Sequence, residues 1–427
     1  MTPVITLARH RWWLLPPLLV GTALSVVFFV VSLDRDLWLA WSRVVPFGLW
    51  PGFNDIWITL LHLRQADIGA DPLSDPTSEF AYPRAVLGLR HFGIHTVPAE
   101  WLGLIQGIGF TIAAVLVLRP ATWRRAVASS LFLATPAILL GFERGNLDLA
   151  LFALCAAAAW SWSRAKGAPG LVLPLAFMVG GAVLKLYPLF GLLAGVCAES
   201  SGRRKYWLLG TAVVCAYCYL IRADLVLIAG KIPVMTVASW GCLVFFARLE
   251  GHLQRLHADS WLAAVNWEIV ALGAYGVAAV AAALCGRQMA SRFRAVQWTG
   301  LETAYFWVGG GICCGCFAGS NFVYRWVFAF LTLPLLLRGA RAGDLVVATW
   351  ARVCIGALVV GLAAKFSLGS VAFVVVQTAN WIFICGLIAG AVALRLSADV
   401  PQTSVTVKSS EEELDPRVAG VPAMKAG

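Results

Sequence analysis

Apolar runs of about 20 residues recur along the whole chain, each long enough as a helix to span the hydrocarbon core of a bilayer. Alternation at the two-residue strand period is absent, which argues against a β-barrel and for an all-α, polytopic bundle. The first run, Trp12 to Ser32, follows Arg9 and Arg11. It is longer than the core of a cleaved signal peptide, and no clear small-residue cleavage site follows it, so it reads as a retained anchor. A mixed segment then extends from Leu33 to Thr96 and holds Asp34, Asp36, Asp55, Asp67, Asp71, Asp75 and Glu79. Further runs lie at about Val97 to Leu118, Ala126 to Phe142, Leu149 to Trp162, Tyr206 to Ile221 and Leu262 to Cys285. Four more lie at about Thr303 to Phe317, Trp326 to Leu337, Leu345 to Phe366 and Val371 to Leu394.

Basic clusters punctuate these runs at 119–125, 164–166, 203–205, 287–294 and 338–341. With Arg9 and Arg11 placed in the cytoplasm, alternate crossings bring every cluster to that side, the pattern of the positive-inside rule. One stretch needs special treatment. Leu171 to Cys197 lies between two basic clusters that want the same side, so it must enter and return, yet it is too short for two full spans. Lys185, Tyr187 and Pro188 sit near its middle, which predicts two short helices broken at 185–188. The expected architecture is about twelve membrane crossings, some short. Residues 1–394 form the membrane domain, with outer loops at 33–96 and 222–261. The polar segment 395–427, with Ser409-Ser410-Glu411-Glu412-Glu413, is expected to be a disordered cytoplasmic tail.

Composition agrees. The chain is 60% hydrophobic and 13% charged, about half the charged share of a soluble domain, which is too little for a water-facing surface. The net charge of +11 is carried by the clusters between runs, so it reflects membrane orientation rather than nucleic-acid binding. The eleven cysteines lie mostly within apolar runs and form no paired metal-binding motif; they read as small packing residues. No metal and no cofactor is expected.

Four polar constellations fall on the outer side: Asp55, the string Glu143-Arg144-Gly145-Asn146-Leu147-Asp148, the pair Lys185 and Tyr187, and the string Asn321 to Arg325. Taken singly, each also fits a helix cap or an interfacial side chain reaching for water. Ionisable groups at membrane depth are costly unless paired or wet, so several of them from distant segments suggest one outward-opening cavity. Trp38, Trp41, Trp50 and Trp57 around Asp55 fit an interfacial helix. A carboxylate there has the chemistry of a general base. Lys185 has no partner in its own stretch; Glu143, Asp148 or an anionic ligand such as a phosphate would suit it, and Arg325 is a second candidate cation.

The order of these residues resembles that of a known family. An acidic residue in the first outer loop (Asp55) is followed by Tyr82-Pro83, Glu-Arg-Gly-Asn-x-Asp at 143–148, Leu-Lys-Leu-Tyr-Pro at 184–188, and Asn321-x-x-Tyr324-Arg325-Trp326. From Asp55 to Pro334 this resembles the α-mannosyltransferase-like family of GT-C glycosyltransferases, in particular its bacterial members. The resemblance implies a GT-C-type membrane fold and transfer of a sugar from a polyprenyl-phosphate donor to a glycan or lipid acceptor by a single inverting displacement. It implies Asp55 as catalytic base, with Lys185, Arg144 and Arg325 on the donor phosphate. Glu143, Asn146, Asp148, Tyr82, Tyr187, Asn321 and Tyr324 would bind substrate or support the site. It further implies a bacterial inner membrane, a site facing the periplasm and cytoplasmic termini. Two departures leave the sugar open: Tyr82-Pro83-Arg84 stands where the family often has Tyr-Pro-Pro, and the late outer string lacks the histidine of mannosyl-transferring members. The rival readings are a transporter or lipid flippase, which shares broken helices and buried charge but usually shows internal repeats, and a non-catalytic scaffold.

Overall fold

The computed structural model describes residues 12–42, 52–199, 201–231, 239–256, 265–363 and 370–398. The described residues are all-α apart from one two-residue strand pair. A short 3-10 turn leads into α1 (Leu15–Ser32), followed by α2 (Arg35–Ser42) and α3 (Asn54–Asp67). Irregular chain and the 3-10 segment Arg84–Phe92 reach α4 (Ala99–Leu118). Next come α5 (Trp123–Leu133), α6 (Pro136–Arg144), α7 (Asp148–Arg164), α8 (Val172–Leu184) and α9 (Pro188–Ala198). After α10 (Ser201–Leu220) and α11 (Arg222–Lys231), β1 (Ser239–Trp240) precedes α12 (Cys242–Leu256). The last part holds α13 (Trp267–Arg294), α14 (Gly300–Phe317), β2 (Asn321–Phe322), the 3-10 segment Val323–Thr332, α15 (Leu333–Gly339), α16 (Leu345–Ala363) and α17 (Ser370–Ala398).

Local chemistry marks these boundaries. Proline stands in the first turn of α1, α6, α9 and α15, where its missing N–H costs nothing. Thr299 and Glu302 close a capping box at the start of α14, and the Asn266 side chain accepts from the Ile269 N–H at 3.1 Å to start α13. Among the described residues, five helices are long and apolar enough to cross a membrane: Trp12–Ser32, Ala99–Leu118, Trp267–Arg294, Leu345–Leu362 and Val371–Ala398. The number reaches seven if two bent pairs, α5 with α6 at 53° and α10 with α11 at 75°, are each one span. Their outward faces are apolar: on α13, Val277, Val280 and Leu284 are 73%, 63% and 56% exposed, a surface suited to lipid and not to water. The protein is therefore a membrane protein by the length and composition of its helices.

Small residues let the helices approach. A Cβ on Gly21 of α1 would lie 2.4 Å from Thr111 of α4, and one on Gly107 of α4 would lie 2.6 Å from the Ser25 hydroxyl of α1. Both hydroxyls donate back to their own helices, Ser25 to the Gly21 carbonyl and Thr111 to the Gly107 carbonyl, so the close contact strands no polar atom.

Several elements differ from the sequence expectation. The run Ala126 to Phe142 is bent at 134–135, before Pro136. The run Trp326 to Leu337 opens as 3-10 helix before α15. Residues 222–261, expected as loop, hold α11, β1 and α12. The C-terminal helix continues to Ala398, four residues into the expected tail. Arg9, Arg11 and the tail beyond Ala398 lie outside the described residues.

Candidate functional site

The break between α8 and α9 is the structural centre of the site. Lys185 leaves the helix in an extended conformation and Tyr187-Pro188 restarts it. This frees Lys185 to reach across to the start of α7, where its ammonium donates to Asp148 at 2.6 Å and to the Asn146 carbonyl oxygen at 2.9 Å. The Tyr187 hydroxyl donates to the same Asp148 oxygen. The other Asp148 oxygen accepts from Arg325 Nε at 3.3 Å. Asp148 is 1% exposed and Lys185 8%, so this is a buried charge cluster and not a surface pair.

Asn146 links that cluster to Asp55. Its carbonyl oxygen accepts from Lys185 and from the Asp148 N–H at 3.0 Å, while its amide donates to Asp55. The other Asp55 oxygen meets Arg144 at 2.5 Å. The turn that aims Arg144 and Asn146 in this way depends on Gly145, whose φ is +58°. A Cβ there would stand 2.7 Å from Ile56, one residue after Asp55. The Glu143 carbonyl accepts from the Phe53 N–H at 2.8 Å and so fixes the start of α3 against the end of α6.

Arg325 is positioned from its other side by the strand pair. Trp240 of β1 pairs with Asn321 of β2, and the Trp240 indole N–H donates to the Phe322 carbonyl at 3.0 Å. Asn321 in turn accepts from Arg325 and donates to the Cys316 carbonyl. Aromatic rings close over two of the cations: Lys185 Nζ lies 5.3 Å from the Tyr82 ring centre and the Arg325 guanidinium 5.4 Å from that of Tyr187. Below, Phe328 meets Tyr187 edge-on at 5.3 Å, and Phe152, Phe110 and Phe142 continue the apolar floor.

Nine of the eleven sequence-derived residues thus join one network: Asp55, Arg144, Asn146, Asp148, Lys185, Tyr187, Asn321 and Arg325 by hydrogen bonds or ion pairs, and Tyr82 through its ring. Two take other roles. Glu143 is 2% exposed, and its carboxylate lies within electrostatic reach of Arg144 while its carbonyl braces α3. Tyr324 turns its ring onto Phe322 at 5.3 Å and onto Leu140. Trp38, expected at an interface, is 1% exposed and packs inside; Trp57, at 44%, keeps an exposed position, and Trp50 lies outside the described residues.

The polar groups of the network bond one another directly. Two cavities lie elsewhere, one of about 280 Å3 where the end of α7 meets the start of α14 and one of about 710 Å3 beside the start of α14. Three cations (Arg144, Lys185, Arg325) lie among three carboxylates (Asp55, Asp148, Glu143), so the cluster is balanced in charge before any anionic ligand enters.

Sequence reasoning missed what holds the segment 71–84 over this cluster. Arg84, next to Tyr82-Pro83, pairs with Asp71 at 2.6 Å and with Asp224 on α11, and its backbone N–H donates to Asp224 at 3.0 Å. Lys231 of α11 donates to the carbonyls of Pro72 at 3.1 Å and Asp75 at 2.8 Å. The hydrogen bond from Arg84, aided by Ser74 and the charge of Arg84, holds the Asp71 carboxyl down at about 2. Burial pushes the Tyr82 phenol up, so that ring stays neutral beside Lys185. The available signal was Arg84 itself, the residue that departs from the family string.

Compared with protein-family models, curated proteins and solved structures, the chain matches none of them. The family resemblance therefore rests on the residue strings quoted above.

Proposed function

We propose that the protein is an integral-membrane glycosyltransferase that moves a sugar from a polyprenyl-phosphate donor to a glycan or lipid acceptor. The observation that carries this reading is the Asp55–Asn146–Lys185–Asp148–Arg325 network. It joins a carboxylate from the first outer loop to two buried cations, with a third, Arg144, on Asp55 itself. In the proposed reaction an acceptor hydroxyl attacks the anomeric carbon and gives its proton to Asp55. The bond from that carbon to the phosphate oxygen breaks with inversion, and the polyprenyl phosphate leaves with the electron pair. Developing charge on the leaving oxygen calls for a nearby cation. Arg144 is the cation paired with the proposed base, and its side chain is 21% exposed, as open as Arg325 at 20% and more so than Lys185 at 9%. A phosphate that draws Arg144 away leaves Asp55 facing the acceptor.

The same reading takes the site to face the periplasm of a bacterial inner membrane, in a GT-C-type bundle with cytoplasmic termini. Twelve crossings follow if α7, α8, α9, α14 and the 3-10 segment with α15 are counted beside the five long helices and two bent pairs. The broken pair α8/α9 equally suits a transporter or flippase, so the test must separate chemistry from transport. Purified protein is incubated with a panel of polyprenyl-phosphate sugars and an acceptor extract, and free polyprenyl phosphate is measured. One donor should be consumed, and Asp55→Asn should slow its consumption by about 100-fold or more. Full activity in Asp55→Asn removes that residue as base; no consumption of any donor, together with lipid movement across vesicles, supports the flippase instead.

A further inference from the structure

At the end of the bundle away from the charge network, the cavity of about 710 Å3 is bounded by the last turn of α4, the first turn of α5, the α13–α14 connection and α15. Four arginines line it, Arg119, Arg125, Arg338 and Arg341, against one carboxylate, Glu302. That glutamate is already engaged: it pairs with Arg338 at 2.5 Å and caps Thr299 through the hydroxyl at 2.8 Å. The lining therefore carries four positive charges and one negative, a surplus of three. Among the described residues, Arg119, Arg125 and Arg341 lie within 4.0 Å of no carboxylate. Arg119 is held in a left-handed conformation, φ +41°, at the end of α4, an unusual backbone state for a non-glycine residue. Tyr305, 3% exposed, forms part of the wall.

Guanidinium groups gathered without carboxylates suit a phosphate, which each can meet through two parallel N–H donors. The flank of the cavity suggests what carries that phosphate. Leu116, three residues before Arg119, is 51% exposed, and Ile112 and Ile105 continue the same outward apolar surface at 45% and 63%. Acyl chains lying along α4 would bring a headgroup phosphate to the arginines, as basic pockets between membrane helices do for anionic lipids. We infer that this cavity binds the phosphate of an anionic phospholipid, with the lipid chains along α4. The site is separate from the transferase reading and does not depend on it.

The test uses the purified full chain in detergent, with phosphatidylglycerol, cardiolipin and phosphatidylcholine titrated by native mass spectrometry and inorganic phosphate as the chain-free probe. The anionic lipids should bind at least about tenfold more tightly than phosphatidylcholine, and an Arg125→Ala/Arg341→Ala protein should lose about that preference. Arg90→Ala, which removes a cation from the first outer loop, should leave the preference intact. Should the double variant fail to elute as a folded species, Arg341→Gln alone, at an exposed position, is expected to give a smaller loss in the same direction. Equal binding of phosphatidylcholine, or an unchanged preference in folded arginine variants, overturns the site. Inorganic phosphate binding as tightly as the lipids overturns the lipid as carrier and assigns the cavity to a soluble phosphate compound.

Discussion

Asp148 accepts from Lys185, Tyr187 and Arg325 while almost wholly removed from solvent, so each partner's value depends on the others. Breaking one side of a buried ion pair leaves an uncompensated charge and typically costs about 3–5 kcal/mol. Lys185→Met should fall at or below the lower end of that range, because Arg325 and Tyr187 still hold the carboxylate. Asp148→Asn strands both Lys185 and Arg325 and should cost more. The Lys185→Met/Asp148→Asn protein should be more stable than the sum of the single losses by at least about 1 kcal/mol, since the second change removes the charge that the first exposed. Apparent melting temperatures in one detergent would measure this, and strictly additive losses would mean that the two residues act independently. These residues were legible because a charge inside an apolar run demands an explanation wherever it occurs. Their pairing was not. Lys185 meets an aspartate 37 positions away and Arg325 meets the same aspartate across 177, separations over which local patterning carries no information.

At the scale of elements, legibility followed the length of the apolar runs. The helix ending at Ser32 matched its run there because turn chemistry and Asp34 bound it, and the break at 185–188 emerged from charge placement and span length together. The bend at 134–135 was hidden because hydropathy continues through it, and 3-10 helix over 323–332 has no hydropathy signature that separates it from α-helix. The tie between the segment 71–84 and α11 was invisible for the same reason as the ion pairs: Arg84 and Asp224 are 140 residues apart. The Arg84–Asp71 pair within that segment is sensitive to acid. The Asp71 carboxyl is lowered from 3.8 to about 2 in the folded protein, so its contribution is present above about pH 4 and is lost as the pH falls through about 2. Arg84 and Asp71 are 38% and 41% exposed, so screening by water limits the effect to under about 1 kcal/mol. Amide exchange of residues 71–84, corrected for intrinsic rate, should rise between pH 4 and pH 2. Asp71→Asn should already show the faster exchange at pH 6. An Asp71→Asn protein indistinguishable from the parent at pH 6 would assign the anchoring of the loop to Asp224 and Lys231 alone.

Across the whole molecule the two ends of the bundle differ in how they handle charge. At one end, cations and carboxylates are matched and buried together; at the other, the clusters at 119–125, 164–166, 203–205 and 338–341 are rich in arginine and lysine and short of acid. α7 runs from Asp148 at the first end to Arg164 at the second, and α14 runs the other way, from beside the arginine-lined cavity to the strand pair that holds Arg325. Each helix of about 17–18 residues covers about 26 Å, close to the thickness of the hydrocarbon core, so in the proposed twelve-crossing topology the ends sit near opposite interfaces. In the proposed topology the short basic connections stay with the cytoplasm and the matched network lies outside. Two single-cysteine proteins can check this in intact cells with a membrane-impermeant maleimide. Ile68→Cys lies at an 85% exposed position just after α3, at the network end, and should be labelled without lysis. Lys166→Cys, in the exposed basic turn after α7, should be labelled only once the membrane is opened. The reverse pattern would move the network into the cytoplasm. An outer-leaflet polyprenyl-phosphate donor would then be excluded, while the network itself and the phosphate site at the other end would stand as described.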